Sequence, residues 1–382
     1  MTTTLEHESS GKRDFDFVFA VNGLPLAGSG GARIFVSLMN SLLNKGYKIG
    51  VVSLPREPWA LVLSKGVATP WAQKLLLKLN DSPFTYHLFN PFFRFIIKSP
   101  SHFKINRGVK IMSGSDVNKY DCRMYIATNF ISANQLVSIG IQRERIILFS
   151  QIDETDSLYS GKYADLALKT YENFSKRIFI NEDVVKRFPG TKKIGMAIDL
   201  SLYRLLRPID SRNHRNIVFI TRTGDQKDPA TAIEAINKIN KAIPAVHISA
   251  YGNIDKSYLP AFVDYHPTPS DKEVVDILNS NSIFVTTSVL EGYPLPPLEA
   301  MACGCAVIST DSIGVKEYIT HGVNGIICPV RNPDLIAKFV QQLMEDHQER
   351  IEIAMRGYKT AFEHSYEAMT ENFLNAVIDF TK

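Results

Sequence analysis

The chain has 382 residues, 45% of which are hydrophobic, and a formal net charge of +4. One hydrophobic core rarely serves a chain of this length, so we expect two domains. The small basic excess suits an anionic small ligand or a membrane surface better than duplex nucleic acid, and nucleic-acid binding is not expected.

The N-terminal residues and the cysteines favour a cytoplasmic protein. Residues 1–14 are polar and charged, which is typical of a disordered lead-in and unlike a secretory signal. No run of about 18 apolar residues is present, so a membrane-spanning helix is not expected. The four cysteines lack zinc spacing, and we interpret them as small buried residues that stay reduced.

The first half of the chain begins with a β-α-β pattern. Phe15–Val21 is predicted to be a strand, Gly28–Gly31 a glycine turn, Ile34–Lys45 a helix and Lys48–Ser53 the next strand. A dinucleotide fingerprint would need glycine where Arg33 stands, which weakens a nicotinamide-binding interpretation of the turn.

Residues 59–112 combine many basic and aromatic side chains with one acid, Asp81. The basic residues are Lys65, Lys74, Lys78, Arg94, Lys98, Lys104, Arg107 and Lys110. The simpler interpretation is that the aromatic residues form core and the charges face water. The alternative is a peripheral contact with the anionic inner face of a membrane.

A second β-α-β pattern begins in the second half of the chain. Asn216–Ile220 is predicted to be a strand, Thr221–Asp228 a polar turn, Pro229–Ala242 a helix and Val246–Tyr251 a strand. Two separate starts indicate an α/β fold with two doubly wound, Rossmann-like domains rather than one continuous sheet.

The predicted boundary between the domains lies in Asp199–Arg215, where several arginines accompany a loss of apolar period. The predicted division is residues 1–14 as lead-in, 15–205 as the N-terminal domain, 206–362 as the C-terminal domain and 363–382 as a C-terminal helix that packs back on the N-terminal domain. We found no internal repeat that would indicate a solenoid.

The most specific motif lies in residues 288–304, where Glu291 and Glu299 are separated by seven residues. The motif follows a predicted strand, Ser282–Thr287, and opens a helix that starts near Pro296. It therefore lies at the carboxyl end of a strand, which is where open α/β sheets bind ligands.

The start of this helix is suited to an anion. Pro294 and the two later prolines have no N–H group, which leaves the amides of Gly292, Tyr293 and Leu295 to face a diphosphate. An alternative role for Glu299 is to cap the helix, but a capping box needs a short polar residue where a proline stands.

This motif resembles the E-x7-E signature of glycosyltransferase family 4, whose members are retaining enzymes with the two-domain GT-B fold. Residues 311–317 and 321–325 resemble the strand and turn that follow it in that family. The resemblance implies that Glu291 contacts the donor sugar hydroxyls and that Glu299 binds the ribose diol of the nucleotide. We expect residues 292–295 to bind the same donor through its diphosphate.

Two further elements match the same family. Arg222 and Lys227, which alone would be interpreted as solvated loop residues, match the Arg and Lys that neutralise the departing diphosphate, although Thr221 replaces the family's usual glycine. Gly30 and Gly31 resemble the N-domain glycine loop that closes over the donor phosphates.

The middle of the chain resembles, more loosely, the rhamnosyl- and mannosyltransferases that build bacterial surface polysaccharides. Asn129, Gln151 and Glu154 belong to the matching stretches, and we expect them on the acceptor side. Ala197 and Pro267 stand where the family usually has glycine.

The resemblance implies transfer of a hexose or deoxyhexose from a nucleotide-diphosphate sugar, held by the C-terminal domain, to a glycan or lipid-linked acceptor, received by the N-terminal domain. No D-x-D carboxylate pair accompanies the donor residues, so neither a metal nor a cofactor is expected. Two alternatives stay open: a non-catalytic sugar-nucleotide or glycan-binding protein on the same fold, and a sugar phosphorylase or nucleotide-sugar epimerase.

Overall fold

The structure is a computed structural model that describes residues 13–22, 30–54, 105–156 and 160–382. The prediction for the lead-in falls almost entirely outside the described residues. The same holds for most of residues 59–112, of which only 105–112 are described.

The chain divides into two compact units. Unit 1 comprises Met1–Ile194 and Thr370–Lys382, and unit 2 comprises Gly195–Met369. Unit 2 thus begins before the predicted boundary of residue 206. Ile198 pairs with Ser365, and its N–H donates to the His364 carbonyl oxygen at 2.9 Å, which ties this stretch to the end of unit 2.

Unit 1 is built on a seven-stranded parallel sheet with the order β3-β2-β1-β4-β5-β6-β7. The strands are β1 Phe15–Asn22, β2 Ile49–Leu54, β3 Lys110–Ser113, β4 Cys122–Ala127, β5 Ile146–Ser150, β6 Arg177–Phe179 and β7 Lys192–Lys193. The helices are α1 Gly30–Asn44, α2 Phe130–Ser138, α3 Ala164–Asn173 and α4 Glu182–Arg187. Strands β2 and β5 are buried along their whole length, as expected for a parallel sheet covered on both faces.

The predicted glycine turn at Gly28–Gly31 needs a correction. Gly30 and Gly31 are the first two residues of α1, while Gly28 lies outside the described residues. Helix α1 therefore begins one turn before the predicted start at Ile34, in the turn whose N–H groups have no intrahelical partner.

Unit 2 is built on a six-stranded parallel sheet with the order β10-β9-β8-β11-β12-β13. The strands are β8 Asn216–Thr221, β9 His247–Gly252, β10 Asp264–Pro267, β11 Ile283–Thr286, β12 Ala306–Thr310 and β13 Ile326–Cys328. The helices are α5 Pro229–Ala242, α6 Asp271–Ser280, α7 Leu295–Ala302, α8 Pro333–Glu345 and α9 His347–Glu363. The strand order reverses between β8 and β11, which makes this edge of the sheet the topological switch point.

The helices of unit 2 begin where the sequence supplies caps. Asp228 accepts the Thr231 N–H at 3.2 Å at the start of α5, where proline occupies the first helical position. Ser270 and Glu273 form a complete capping box at the start of α6. The proline and the aspartate cap explain why α5 has the bounds predicted for it, Pro229–Ala242.

The last helix, α10 Tyr366–Thr381, begins in unit 2, and its residues from Thr370 belong to unit 1. Its Phe373 ring packs in the core of unit 1, with its centroid 5.5 Å from that of Phe17 and 6.4 Å from that of Phe149. The C-terminal residues therefore complete the core of the N-terminal unit.

Two predictions from composition can be compared with the structure. All four cysteines are buried and none forms a disulfide, as predicted. Within the described ranges, no helix combines the length and the apolar content that a membrane span requires.

Candidate functional site

The residues of the predicted motif meet at the switch point of unit 2. Arg222 follows β8 directly, and Glu291 lies in the loop after β11. Strands β8 and β11 are neighbours in the sheet, with Val218 opposite Phe284. The carboxyl ends of neighbouring parallel strands lie at the same edge, so the two loops are brought side by side.

The turn after β8 is held against the loop after β11 by main-chain hydrogen bonds. Gly224 has a φ of 110°, which glycine adopts without strain, and its carbonyl oxygen accepts the Lys227 N–H at 2.9 Å. The Gln226 carbonyl oxygen accepts the Val289 N–H at 2.9 Å, and the Thr287 hydroxyl donates to the Asp228 carbonyl oxygen at 3.0 Å. The position of Lys227 is therefore fixed relative to the motif.

Three donors converge on a single oxygen of Glu291. Its Oε1 lies 2.5 Å from Arg222 Nη2, 2.6 Å from Lys227 Nζ and 3.0 Å from Ser288 Oγ. The Glu291 side chain is 15% exposed, and those of Arg222 and Lys227 are 28% and 24% exposed. Two cations and one carboxylate leave the cluster with a net positive charge at the rim of the switch point.

The surroundings fix the protonation states of this cluster. Burial acts to raise the pKa of Glu291, but the charges of Arg222 and Lys227 outweigh it, and the pKa lies below its usual value. Burial and the charge of Arg222 lower the pKa of Lys227, while Glu291 opposes this change. Glu291 is therefore a carboxylate at neutral pH.

The loop after β12 supports Glu291 from the other side. The Glu291 N–H donates to the Ser312 carbonyl oxygen at 3.0 Å, and the Gly314 N–H donates to the Glu291 carbonyl oxygen at 3.0 Å. A Cβ atom at position 314 would lie 2.1 Å from the Gly292 carbonyl oxygen. Only glycine permits this close approach of two main chains.

Helix α7 begins directly after the loop that carries Glu291. Pro294 is its N-cap residue and makes no side-chain capping hydrogen bond, so the capping box considered for Glu299 is not formed. Glu299 lies in the second turn of the helix and is buried. Prolines at positions 296 and 297 remove two of the N–H groups at the helix start, which leaves that of Leu295 as the first donor there.

Several side-chain contacts around the site were not anticipated from the sequence. The Tyr318 hydroxyl donates to the Pro294 carbonyl oxygen at 2.5 Å, and the Tyr293 hydroxyl lies 3.1 Å from Nδ1 of His364. Burial raises the pKa of both tyrosines. Tyr251 ends at a buried hydroxyl that has no hydrogen-bond partner among the described residues. The sequence did offer one indication that Tyr251 lies near the site, because it is the last residue of a predicted strand.

The residues predicted on the acceptor side lie in unit 1. Asn129 caps α2, and its side chain accepts the Ser132 N–H at 2.8 Å. The buried Glu154 carboxyl accepts the Phe130 N–H at 3.1 Å and the Tyr171 hydroxyl at 3.0 Å. Asn129 and Glu154 thus meet at the start of α2, while Gln151 lies in the bend after β5.

The titration of Glu154 differs from that of Glu291. Burial raises the pKa of Glu154 to about 7, because hydrogen bonds from Tyr171 and Phe130 only partly offset the loss of solvation. Both hydrogen bonds are internal to unit 1, so the structure gives Glu154 a role in the fold beside the predicted contact with an acceptor.

No group of three or more His, Cys, Asp or Glu side chains in the described ranges is arranged to hold a metal ion. The predicted absence of a metal remains a prediction. The charges that the described site offers to an anion are those of Arg222 and Lys227.

Comparison with known proteins supports the predicted resemblance. Residues 209–360 match the family model for glycosyl transferases group 1, and this stretch contains the whole cluster around Glu291. The match lies within unit 2 and identifies it as the domain that carries the group 1 sequence pattern.

Curated proteins similar to this chain are named as glycosyltransferases. Over 109 residues the chain is 28% identical to the N,N'-diacetylbacillosaminyl-diphospho-undecaprenol alpha-1,3-N-acetylgalactosaminyltransferase of Campylobacter jejuni, covering 28% of the chain and 29% of that protein. Over 205 residues it is 31% identical to the lipopolysaccharide core biosynthesis glycosyltransferase LpsE of Rhizobium meliloti, covering 50% and 56%. The chain spans less than two thirds of the length of either relative.

The fold is shared with solved glycosyltransferases. The crystal structure of HepE from Anabaena in complex with UDP superimposes with a TM-score of 0.68 at 15% identity, covering 95% of this chain and 100% of HepE. The structure of TarM gives a TM-score of 0.64 at 13% identity over 96% of this chain. The chain has the GT-B fold with two Rossmann-like domains, and the predicted resemblance to GT-B glycosyltransferases is confirmed. The assignment to family 4 in particular stays a prediction.

Proposed function

We propose that the chain is a retaining, metal-independent glycosyltransferase that moves a hexose or deoxyhexose from a nucleotide-diphosphate sugar to a glycan or lipid-linked acceptor. One observation carries the proposal. Arg222 and Lys227 converge on one oxygen of Glu291 at the switch point of a domain that matches the group 1 glycosyltransferase model.

The charges of this cluster suit a nucleotide-diphosphate sugar. The two cations attract the diphosphate, whose negative charge increases as the bond to the sugar breaks, and they stabilise it without reorganisation. Within the described part of the chain, all three contacts to the Glu291 carboxylate are made to Oε1. Its Oε2 is therefore the oxygen available to accept hydrogen bonds from sugar hydroxyls.

The nucleotide would lie along the start of α7. The Gly292, Tyr293 and Leu295 amides are the donors near a helix N-terminus, where the helix dipole favours an anion. Glu299 follows one turn further on and would accept hydrogen bonds from the ribose diol, as the resemblance to family 4 implies.

In this mechanism no strong protein base is needed. The bond between the anomeric carbon and the diphosphate oxygen breaks, and the acceptor oxygen bonds to the same face of that carbon. The acceptor proton passes to the departing diphosphate oxygen. Arg222 and Lys227 hold that oxygen's phosphate, and the anomeric configuration is retained.

The acceptor is the least constrained part of the proposal. The name of the C. jejuni relative describes an undecaprenol-linked substrate, and that of the R. meliloti relative describes lipopolysaccharide core synthesis. These names support a lipid-linked glycan. Such an acceptor agrees with the alternative interpretation of residues 59–112, a peripheral contact with the inner face of the membrane.

The test begins with the donor. Titration with UDP, GDP and dTDP by calorimetry should identify one nucleotide that binds, and its sugar conjugates are then incubated with lipid-linked glycan acceptors. Proton NMR of the product should show the anomeric configuration of the donor. Activity should be unchanged in EDTA, and a loss of activity that Mg²⁺ or Mn²⁺ restores would refute metal independence. Tight nucleotide binding without transfer to any acceptor would favour the non-catalytic alternative.

A further inference from the structure

Ile313 has an unusual main-chain conformation beside Glu291. Its φ is 72° and its ψ is −71°. The Gly314 N–H donates to the Ser312 carbonyl oxygen at 3.0 Å across it, which closes a γ-turn of the rare, strained form. A positive φ in a β-branched residue is a genuine outlier, since its branched Cβ crowds the main chain.

The surrounding contacts explain how this conformation is maintained. The Ser312 carbonyl oxygen accepts N–H groups from both Gly314 and Glu291, and Ile313 forms an isolated parallel bridge with Glu291. Both neighbours of Ile313 are buried against this arrangement, because Ser312 is 1% exposed and Gly314 contacts Gly292. The loop imposes a positive φ on whichever residue occupies position 313.

Packing of the Ile313 side chain does not offset the main-chain strain. Ile313 is 46% exposed, so its large apolar side chain lies mostly at the surface of the described structure. Glycine would adopt the same φ without strain and would expose no apolar surface. Strained residues that the fold does not require are concentrated at ligand sites.

We propose that Ile313 is a specificity-determining residue, whose side chain contacts the transferred sugar beside Glu291 and favours a 6-deoxyhexose over the corresponding hexose. This inference rests on the proposed function and narrows its substrate class. Glu291 would hold hydroxyls of the sugar, and the adjacent isoleucine would face a carbon that carries none.

The chemistry of the contact supports a methyl group. A methyl group packed against the isoleucine removes apolar surface of both partners from water. A hydroxymethyl group in the same place would lose hydrogen bonds to water without a replacement from the aliphatic side chain. Contact with a partly exposed side chain discriminates less than an enclosed apolar pocket, so we expect the lower end of the range of about 10-fold to 200-fold.

The experiment first measures the melting temperatures of Ile313→Gly and of a control, Ala245→Gly. Ala245 also has a positive φ, of 56°, and lies in the turn between α5 and β9, away from the cluster. Ile313→Gly should melt at a temperature equal to or higher than that of the wild type, by up to about 4 °C. A lower melting temperature would mean that the isoleucine supports the fold, and would overturn the proposal.

The second measurement is binding. UDP-glucose is compared with UDP-6-deoxyglucose, and GDP-mannose with GDP-6-deoxymannose, with UDP and GDP alone as references. The wild type and Ala245→Gly should bind the deoxy sugar of one pair about 10-fold or more tightly. Ile313→Gly should lose this preference, and Ile313→Asn, which tolerates a positive φ, should reverse it.

The outcomes separate the two proposals. A wild type without a preference for either deoxy sugar, or a preference that survives in both Ile313 variants, would overturn the role of Ile313 even if transfer occurs. A preference lost in Ile313→Gly without transfer by the wild type would support Ile313 and contradict the proposed function. Absence of binding to all six compounds, together with absence of dTDP binding in the donor titration, would contradict both.

Discussion

Replacing Glu291 by glutamine is the sharpest test of the charge cluster. The change keeps the shape of the side chain and removes its charge, which leaves Arg222 and Lys227 facing each other without a counterion. The three side chains are only 15–28% exposed, so water cannot fully replace the lost carboxylate. We therefore expect effects on both stability and activity.

The size of the effect on stability follows from the distances. At the 2.5 and 2.6 Å that separate Glu291 Oε1 from Arg222 and Lys227, each pair of unit charges attracts by about 6 kcal/mol at an effective dielectric constant of about 20. Loss of solvation offsets much of this attraction, and breaking a fully buried pair lowers stability by about 3–5 kcal/mol. Because this cluster retains some exposure, we expect a loss of about 2 kcal/mol, or about 4–8 °C in the melting temperature of a domain of this size.

The stability that Glu291 contributes should depend on pH in a definite direction. In the folded chain the pKa of Glu291 is below its usual value, so near pH 4 the unfolded chain binds more protons than the folded chain. The stability that the carboxylate contributes is complete above about pH 5 and is lost as the pH falls through its lowered pKa. The gap between wild type and Glu291→Gln should therefore be constant near neutral pH and close in acid.

The assay combines urea unfolding at several pH values with nucleotide titration and sugar transfer. Nucleotide diphosphate should bind Glu291→Gln at least as tightly as the wild type, because a negative charge has been removed, while transfer should fall about 100-fold or more. Glu234→Gln is a matched control, since Glu234 lies 3.4 Å from Lys238 on an exposed helix face, and should change neither property. Wild-type turnover in Glu291→Gln, or a melting temperature unchanged at neutral pH, would refute this account.

Four other substitutions test the remaining residues to which the sequence or the structure assigns a role. Glu299→Ala should weaken nucleotide binding about 10-fold in calorimetry, because the ribose diol loses its acceptor; unchanged affinity would leave Glu299 a structural role only. Arg222→Ala and Lys227→Ala should each weaken binding of the nucleotide diphosphate, and the double variant should lose less than the sum of the two losses, whereas strict additivity would indicate separate targets. Burial raises the pKa of Glu154 to about 7, so the folded chain binds a proton that the unfolded chain releases between about pH 4 and 7. In urea unfolding the wild type should therefore lose stability as the pH rises over this range, and Glu154→Gln should not show this loss. A pH profile shared by wild type and Glu154→Gln would contradict this assignment.

The fold could be predicted from the sequence to the extent that it depends on local patterns. Strand β8 and helix α5 end within one residue of their predicted bounds, because a proline and a capping aspartate mark the start of the helix and buried apolar runs mark the strand. The start of unit 2 at Gly195 could not be predicted from local patterns in the same way. It depends on the pairing of Ile198 with Ser365, which are far apart in sequence and carry no local signal.

The site shows the same division between local and distant contacts. The E-x7-E spacing and its place between β11 and α7 are local, and they could be identified from the residues alone. The contact of Arg222 with Glu291 joins residues 69 positions apart, and that of Tyr293 with His364 joins residues 71 apart. Only the first of these pairs was anticipated, because a family resemblance had already assigned both partners to one ligand.

The residue type at position 313 could not be predicted from local main-chain conformation. A rule based on main-chain conformation would assign glycine to a position with a φ of 72°, yet the sequence has a β-branched residue there and glycine one position later. The Ser312 carbonyl oxygen, with two N–H donors, fixes the turn whichever side chain follows. We therefore infer that the side chain at position 313 is set by a ligand contact and not by the fold. Ile313→Gly tests this inference, because it removes the side chain and leaves the turn in place.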